Sequence, residues 1–487
     1  MNQMTDLASA HDAMIPLCVD LDGTLVRTDM LHETLLLLAK ASPGALASLP
    51  GWLMRGKAGF KHAVAQRVTV NAAALPYRVE ILDLIAQARA QGRRVVLATA
   101  APVQVATAIA AHLGSFDEVL CSDEDHNLSA EAKAALLVER FGPRGFDYVG
   151  NDHADLPVFA QARRAYLVSS HGGLRRAVRG HEAARFLDNP AGGLRAWVKA
   201  LRVHQWLKNL LIFVPLAAAH RVADLSLLVA SVLAFLSFSL CASSVYILND
   251  LLDLPADRVH RRKRNRPFAS GALPVKAGIV AAPLLLAASL GLVLFLPLRF
   301  LGVLTAYYLL TTLYSFLLKK QVVVDVMLLA ALYTLRIIAG SAATQIHPSF
   351  WLLTLSMFVF LGLAMVKRYS ELRIAMTSNG PIAGRGYRPD DLPVVLALGS
   401  ASGMVSVLIL AMYTQAEIVP AMYPSREWLW LAPPLMLYWT TRLWMKAQRG
   451  EVHDDPVIFA ARDWQSLAVL ALMGASFLMA MSGISIW

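Results

Sequence analysis

Cysteine is scarce in this sequence, and its scarcity removes two classes at once. Cys18, Cys121 and Cys241 are the three cysteines in 487 residues. They stand too far apart for a zinc knuckle or a disulfide framework, which leaves packing as their role. Charge is short as well. Charged residues make up 16% of the chain against 56% hydrophobic ones, and the mean hydropathy of +0.50 exceeds what a soluble chain shows. Acid is the scarcer sign, with 34 Asp and Glu against 45 Lys and Arg and a formal charge of +11. Cations gathered on one soluble face would suit nucleic acid. These cluster beside apolar spans, so membrane orientation accounts for them and no nucleic-acid partner is expected. No cleavable signal is expected either, because the apolar stretch Ile15 to Val19 is short and runs into Asp20 and Asp22.

What is present falls into two parts, as the length alone suggests. The first part mixes short apolar runs with charged helical stretches; after about residue 205 come repeated apolar spans of roughly 17 to 23 residues, each able to cross a bilayer. The boundaries read as a soluble domain over 1–188, a linker and juxtamembrane segment over 189–208, and a membrane domain over 209–487. Asn189, Pro190, Gly192 and Gly193 form the turn-rich linker, and the basic stretch Leu194 to Lys208 suits a membrane surface. Nine spans are expected, near 209–223, 225–247, 276–297, 299–318, 322–343, 350–366, 392–413, 428–445 and 464–486. That count puts Arg258, Arg261, Arg262, Lys263, Arg264 and Arg266 on one side with Lys319, Lys320, Lys367, Arg368, Arg373, Arg385, Arg388, Lys446 and Arg449. The alternate loops carry little more than Arg221, Arg299 and Arg426. By the positive-inside rule the N-terminal domain and the basic loops lie in the cytosol, Trp487 lies across the membrane, and the chain is a multi-pass protein of the inner membrane.

In the first part, Ile15 to Val19 and Arg94 to Ala98 are apolar throughout, the pattern of buried parallel strands, with Tyr148 to Val149 as a weaker third. Helical stretches between them make a doubly wound α/β sheet, whose reactive groups gather at the strands' carboxyl ends. Asp20, Thr99 and Asn151 occupy those ends. Two carboxylates two residues apart suit in-line phosphoryl transfer, one attacking phosphorus and the other moving the proton.

Asp20-Leu21-Asp22-Gly23-Thr24-Leu25 resembles the first motif of the haloacid dehalogenase superfamily, and the resemblance covers roughly residues 14–170. It implies a Rossmann-like fold with Asp20 as nucleophile, Asp22 as acid/base, Thr99 holding a phosphoryl oxygen and Lys133 as the family's cation. Gly150-Asn151-Asp152-His153-Ala154-Asp155 resembles the acidic fourth motif, which implies magnesium held by Asp20 and Asp22 with Asp152 and Asp155 as the two candidate ligands of this motif. Asn151 stands where an aspartate is common. Residues 30–90 read as a small helical cap that selects the substrate. A non-catalytic phosphate-binding or regulatory module is the alternative reading of this domain.

In the membrane part, Ser243, Tyr246, Asp250, Asp253 and Asp257 recur at steps of three and four, so one helix face presents them together, with Asn249 alongside. Carboxylates so crowded repel unless neutralised, and magnesium bridging to a diphosphate does that through oxygen ligands. Lys263-Arg264-Asn265-Arg266-Pro267 follows and adds the cations a phosphate pocket needs. Pro255 is expected to kink or end the helix and draw Asp257 off the common face. Asp325 and Arg336, eleven residues apart, both face the bundle interior if they share a helix.

Asn249 to Asp257 resembles the first aspartate-rich motif of the UbiA-type intramembrane prenyltransferases, over roughly residues 195–487. This superfamily is an all-α polytopic membrane bundle. Its aromatic-prenylating members carry a second aspartate-rich motif, where this chain reads Lys367-Arg368-Tyr369-Ser370-Glu371-Leu372. That replacement, with Arg202 to Asn209 before the first span, is similar to the branch typified by decaprenylphosphoryl-5-phosphoribose synthase. The resemblance implies magnesium on Asp250, Asp253 and Asp257. It also implies substrate contacts from Lys208, Tyr246, Asn249, Lys263, Arg266, Arg336, Lys367, Arg368, Tyr369 and Glu371. The implied donor is phosphoribosyl diphosphate and the acceptor a polyprenyl phosphate within the bilayer. The soluble domain would then convert the product to polyprenylphosphoryl ribose. Aromatic prenylation from a prenyl diphosphate is the alternative reading.

Overall fold

A computed structural model gives the architecture of residues 14–169, 172–178, 184–187, 192–377, 386–452 and 455–484. Asn189, Pro190, Arg385 and Trp487, named above, lie outside these described residues. The chain divides into two compact units. One comprises Met1–Leu201 and Tyr246–Pro283, the other Arg202–Val245 and Leu284–Trp487.

The first unit is built on six parallel strands, β1 (Leu17–Val19), β2 (Val95–Pro102), β3 (Glu118–Ser122), β4 (Asp147–Gly150), β5 (Ala165–Val168) and β6 (Ala184–Leu187), in the order β3-β2-β1-β4-β5-β6. Cys18 pairs in register with Val96 on one side and Tyr148 on the other. Side chains alternate between faces as the pleat requires. Leu17, Val19 and Leu97 pack on one face with Ile81, Ile85, Val105 and Ile109, whereas Cys18, Val96, Ala98 and Tyr148 pack on the other with Leu137, Val158 and Phe159. Helices on both faces explain why the strands are apolar throughout. The winding reverses between β1 and β4, which opens a crevice at their carboxyl ends, where Asp20 and Asn151 follow.

Residues 30–90 are helical as expected, with Leu38, Trp52, Phe60, Ala63 and Val64 forming a small core of their own. The helix Met30–Ala41 is started by Asp29, whose carboxylate accepts the N–H groups of Leu31 and His32.

Among the described residues six helices are long and apolar enough to cross a membrane: Leu225–Leu252, Val275–Val293, Val324–Thr344, Phe350–Met376, Pro389–Tyr413 and Trp464–Met481. These make it a multi-pass membrane protein, but the expectation of nine spans is not met among the described residues. The stretch 209–223 folds as a 3-10 helix, Val203–Phe213, and a single short turn, Val214–Ala218, with Pro215 at its start. The stretch 428–445 divides into a 3-10 helix, Arg426–Leu431, and the helix Ala432–Gln448, which carries Thr440, Arg442 and Lys446. The helix Leu298–Phe316 is diluted by the hydroxyls of Thr305, Tyr307, Tyr308, Thr311, Thr312 and Tyr314.

In the second unit the helix Val324–Thr344 lies against Val203–Phe213 at Gly340, where an added Cβ would sit 2.0 Å from the Ile212 carbonyl oxygen. Backbone cannot yield there as a side-chain tip would. Gly340→Ala is therefore expected to lower stability by roughly 1–3 kcal/mol through overpacking. The thermal unfolding midpoint of the detergent-solubilised protein checks this, and an unchanged midpoint would mean that the contact is looser than described.

Candidate active sites

The end of β1 places the first site. The Asp20 N–H donates to the Val149 carbonyl at 3.0 Å, fixing Asp20 at the crevice floor. One of its carboxylate oxygens accepts from Lys133 Nζ at 2.7 Å, and the other lies 3.2 Å from the Thr24 hydroxyl. Lys133 comes from the helix Ala130–Phe141 and is buried. It also donates to the Tyr148 hydroxyl at 2.9 Å and stands 3.5 Å from Asp155. Asp22 accepts the Met30 N–H at 2.7 Å. Thr99, fully buried on β2, accepts the Ala101 N–H at 3.0 Å, which leaves its own hydrogen to donate.

Burial pushes Asp20 up to about 6, with Lys133 opposing and Asp155 adding to the rise. Burial, then the carboxylates of Asp29 and Asp20, pushes Asp22 up to about 7. Burial would lower Lys133, yet Asp20 and Asp155 outweigh it and hold the ammonium above the ordinary lysine range. Burial and Asp155 likewise keep Tyr148 protonated. One carboxylate beside an ammonium and a second that gains a proton near neutrality is the division that nucleophile and acid/base need.

The fourth motif is arranged differently from a ring of carboxylates. Asp155 accepts the Tyr148 hydroxyl at 2.7 Å and the N–H groups of Asn151 and Asp152 at 3.0 and 3.2 Å, so it holds the loop. Asp152 is exposed and caps the turn His153–Asp155. Asn151 turns its amide oxygen to within 3.1 Å of the Thr24 hydroxyl that also meets Asp20. Among the described residues no three His, Cys, Asp or Glu side chains gather as a metal cluster. The oxygen donors available are the carboxylates of Asp20 and Asp22 and the Asn151 amide. Such a set fits magnesium, which binds through one or two carboxylates and keeps much of its water.

Lys61 was missed in the sequence. It lies on the helix Gly56–Ala65, donates to the Ala100 carbonyl at 2.8 Å beside Thr99, and its charge reaches Asp22. Tyr148 was also missed. Nothing in their sequence neighbourhoods separates either from an ordinary helix lysine or strand tyrosine.

The same unit holds the aspartate-rich segment. The helix Leu225–Leu252 stops where Pro255 predicts, and a new turn, Leu254–Val259, begins at once. Asp257 is not drawn away. Its N–H still donates to the Asp253 carbonyl at 2.8 Å, and both Asp250 and Asp257 accept from the Arg266 guanidinium. Lys263 stands 3.9 Å from Asp257, and Lys40, on Met30–Ala41, donates to Asp253 at 2.7 Å. Tyr246 and Asn249 are half-buried on the same helix. Arg266 and Lys40 neutralise these three carboxylates, whose oxygens are of the hard type that magnesium takes.

In the second unit Asp455 is the centre of a cation cluster. It accepts from Lys208 and from the Tyr333 hydroxyl, and Lys367 stands 3.7 Å away. Burial pulls Lys208 down to about 8 with Asp455 opposing, and Asp455 is held down to about 2 by Lys208 and Lys367 against its own burial. Arg336 donates to Asn209 at 2.8 Å and meets the Leu332 carbonyl and the Tyr307 hydroxyl, all neutral groups. Asp455 escaped the sequence reading, although an aspartate before Pro456 is a helix-start signal, and it does cap Pro456–Arg462.

Asp325 and Arg336 are both buried on one helix, as expected, but with separate partners. Asp325 accepts from Arg368 and from the Tyr387 hydroxyl. Arg368, expected as a phosphate contact, is fully buried between Asp325 and Glu371, with its Nε lacking a partner among the described residues. Tyr369, expected likewise, packs on Trp444 in the apolar core.

Residues 210–467 match the UbiA prenyltransferase family, and residues 17–160 match the haloacid dehalogenase-like hydrolases. The protein y4nM of Sinorhizobium fredii is 39% identical over 96% of this chain and 92% of its own length. The nodulation protein NoeC of Azorhizobium caulinodans is 34% identical over 58% of this chain and 93% of its own. The decaprenyl-phosphate phosphoribosyltransferase of Mycolicibacterium smegmatis is 38% identical over 41% of this chain and 64% of its own.

Lys133 is the chief force lowering Asp20, so Lys133→Met is expected to raise the Asp20 pKa further and carry the acidic limb of phosphate-ester hydrolysis to higher pH. Turnover at neutral pH should fall by about a hundredfold or more, as when a preorganised charge is removed. The pH profile of p-nitrophenyl phosphate hydrolysis checks both, and an unmoved limb would detach Lys133 from Asp20.

Proposed function

The chain belongs to the UbiA prenyltransferase family and carries a haloacid dehalogenase-like hydrolase domain; from that premise we propose that it makes a ribosylated lipid in two steps. In the first, 5-phosphoribose passes from phosphoribosyl diphosphate to a polyprenyl phosphate. In the second, the hydrolase domain removes the 5-phosphate to leave polyprenylphosphoryl ribose. We place the protein in the cytoplasmic membrane with its N-terminal domain in the cytosol, on the loop charges.

The observation that carries this reading is the surplus of buried cation about Asp455. Lys208 and Lys367 share that one carboxylate, and Arg336 is met by neutral groups. Buried positive charge without matching acid is costly unless a substrate brings the anion. A prenyl diphosphate and an aromatic acid bring two anionic groups, one of them a carboxylate, whereas phosphoribosyl diphosphate and a lipid phosphate bring three, all of them phosphates. The likeness to decaprenyl-phosphate phosphoribosyltransferases, at 38% identity, supports the same choice.

In the transfer, an oxygen of the lipid phosphate forms a bond to the ribose anomeric carbon as the bond to diphosphate breaks. Lys208, Arg336 and Lys367 are the proposed phosphate contacts. Arg266, which reaches Asp250 and Asp257, is the proposed partner of the diphosphate oxygens. In the hydrolysis, the Asp20 carboxylate attacks phosphorus while Asp22 protonates the leaving ribose oxygen. Asp22 then takes a proton from the water that splits the aspartyl phosphate. Lys133 keeps Asp20 ionised and oriented, and Thr99 donates to a phosphoryl oxygen. Asp20, Asp22 and Asn151 in the hydrolase site, and Asp250, Asp253 and Asp257 in the transfer site, are the residues that would hold magnesium, which would supply positive charge to offset that of the phosphate groups.

Purified protein with magnesium, offered phosphoribosyl diphosphate and a polyprenyl phosphate, should yield ribosyl lipid by mass spectrometry. Asp20→Asn should halt the product at phosphoribosyl lipid, and Asp250→Ala should abolish both lipids. A prenylated aromatic acid from a prenyl diphosphate, with no pentose on any lipid, would overturn the reading. For orientation, a reporter fused at the N-terminus should read as cytosolic; activity only outside the membrane would reverse the placement.

A further inference from the structure

The first unit holds a cleft that neither carboxylate site uses. Its volume is about 600 Å³, within the range of small-molecule sites, and its walls include Arg27, Tyr77, Arg258, Arg264, Asn265 and Ser270. The three arginines differ in what they have to spare. Arg258 is spent: its guanidinium grips both carboxylate oxygens of Glu33 and the Ala269 carbonyl, and both members of the pair are nearly buried. It is a fixed wall with its charge cancelled. Among the described residues Arg27 pairs only with Glu80, at 3.7 Å and half exposed, an ion pair of little energetic weight. Arg264 has no carboxylate partner among the described residues and is exposed.

Arg27 is also held in place from behind. Its N–H donates to the Pro76 carbonyl at 2.9 Å, and Gly271 packs so closely that an added Cβ would lie 2.5 Å from the Arg27 Cβ. A guanidinium anchored at its root and uncompensated at its tip loses little freedom on meeting an anion.

We propose that this cleft is a separate binding site for a phosphate-bearing ligand, with Arg27 and Arg264 as the anion contacts and Asn265 and Ser270 as neutral donors. Planar, bidentate donors match phosphate geometry, and the volume exceeds what a bare anion fills, so the ligand is a phosphate ester or diphosphate with a body of sugar size. The proposal stands on the cleft alone and does not depend on the transfer reaction. The same chemistry is available from a soluble phosphate ester or from an anionic lipid headgroup.

The test uses the full chain in neutral phosphatidylcholine nanodiscs, with EDTA so that no metal bridges anions to the aspartates. Calorimetric titration with ribose 5-phosphate and with inorganic pyrophosphate should show saturable binding, weakened about tenfold or more in Arg27→Gln and in Arg264→Gln. Discs containing phosphatidylglycerol separate the sources. Unchanged binding there assigns the cleft to the soluble ester. Binding blocked by the anionic lipid, with the block relieved in the two arginine variants, assigns it to the headgroup. No saturable binding of either compound in neutral discs, or binding equal in wild type and arginine variants, overturns the proposal. Thermal unfolding of each variant separates lost binding from lost folding.

Discussion

A carboxylate taken out of water must be met by a cation, and that constraint organises this protein. The penalty for a buried, unpaired charge is several kcal/mol, and breaking a formed pair costs about 3–5 kcal/mol because the partner is stranded. The structure meets it repeatedly. Asp20 is faced by Lys133, Asp147 by Arg93 and Arg163, Glu33 by Arg258, Asp250 and Asp257 by Arg266, Asp325 by Arg368, and Asp455 by Lys208. Some of these pairs are scaffolding. Asp147, at the start of β4, is fully buried between the guanidiniums of Arg93 and Arg163. Others have charge in excess, as where Lys208 and Lys367 share Asp455.

The difference between scaffold and site decides how the two halves of the chemistry are separated. Arg368 spends both of its terminal nitrogens on carboxylates, whereas Arg336 spends its donors on neutral oxygens. The two arginines are chemically identical, and only the accounting of partners tells them apart. A similar contrast runs through the hydrolase motif, where Asp155 is consumed by backbone N–H groups and Tyr148 while Asn151 carries no charge at all. A magnesium shell of two carboxylates and an amide binds the cation less tightly than one of three carboxylates, because one unit of negative charge is missing.

Much of this was legible in the sequence, for physical reasons that also explain the gaps. β1 and β2 are apolar runs with nothing polar to disguise them, and the paired aspartates after β1 mark the crevice. β3 was not legible, since Glu118 and Cys121 interrupt its pattern, and β5 and β6 are too short to register as periodic. The aspartate stripe survived Pro255 because the helix restarts immediately, a tertiary outcome that local propensity does not fix. The expected span count is not reproduced among the described residues where the helices are short, as in Val203–Phe213 and Val214–Ala218. Partners such as Asp455 with Lys208 lie 247 residues apart, and no local signal joins them.

The helix Met30–Ala41 deserves a mechanical reading. Its first N–H is fastened to Asp22 and the ammonium of Lys40, near its last turn, to Asp253. Between those two fastenings lie ten residue steps, which at helical rise is a strut of about 15 Å. A strut keeps its length. Asp22 and Asp253 are therefore tied to the two ends of one twelve-residue helix, and a glycine or proline placed in the middle of it would slacken both ends together.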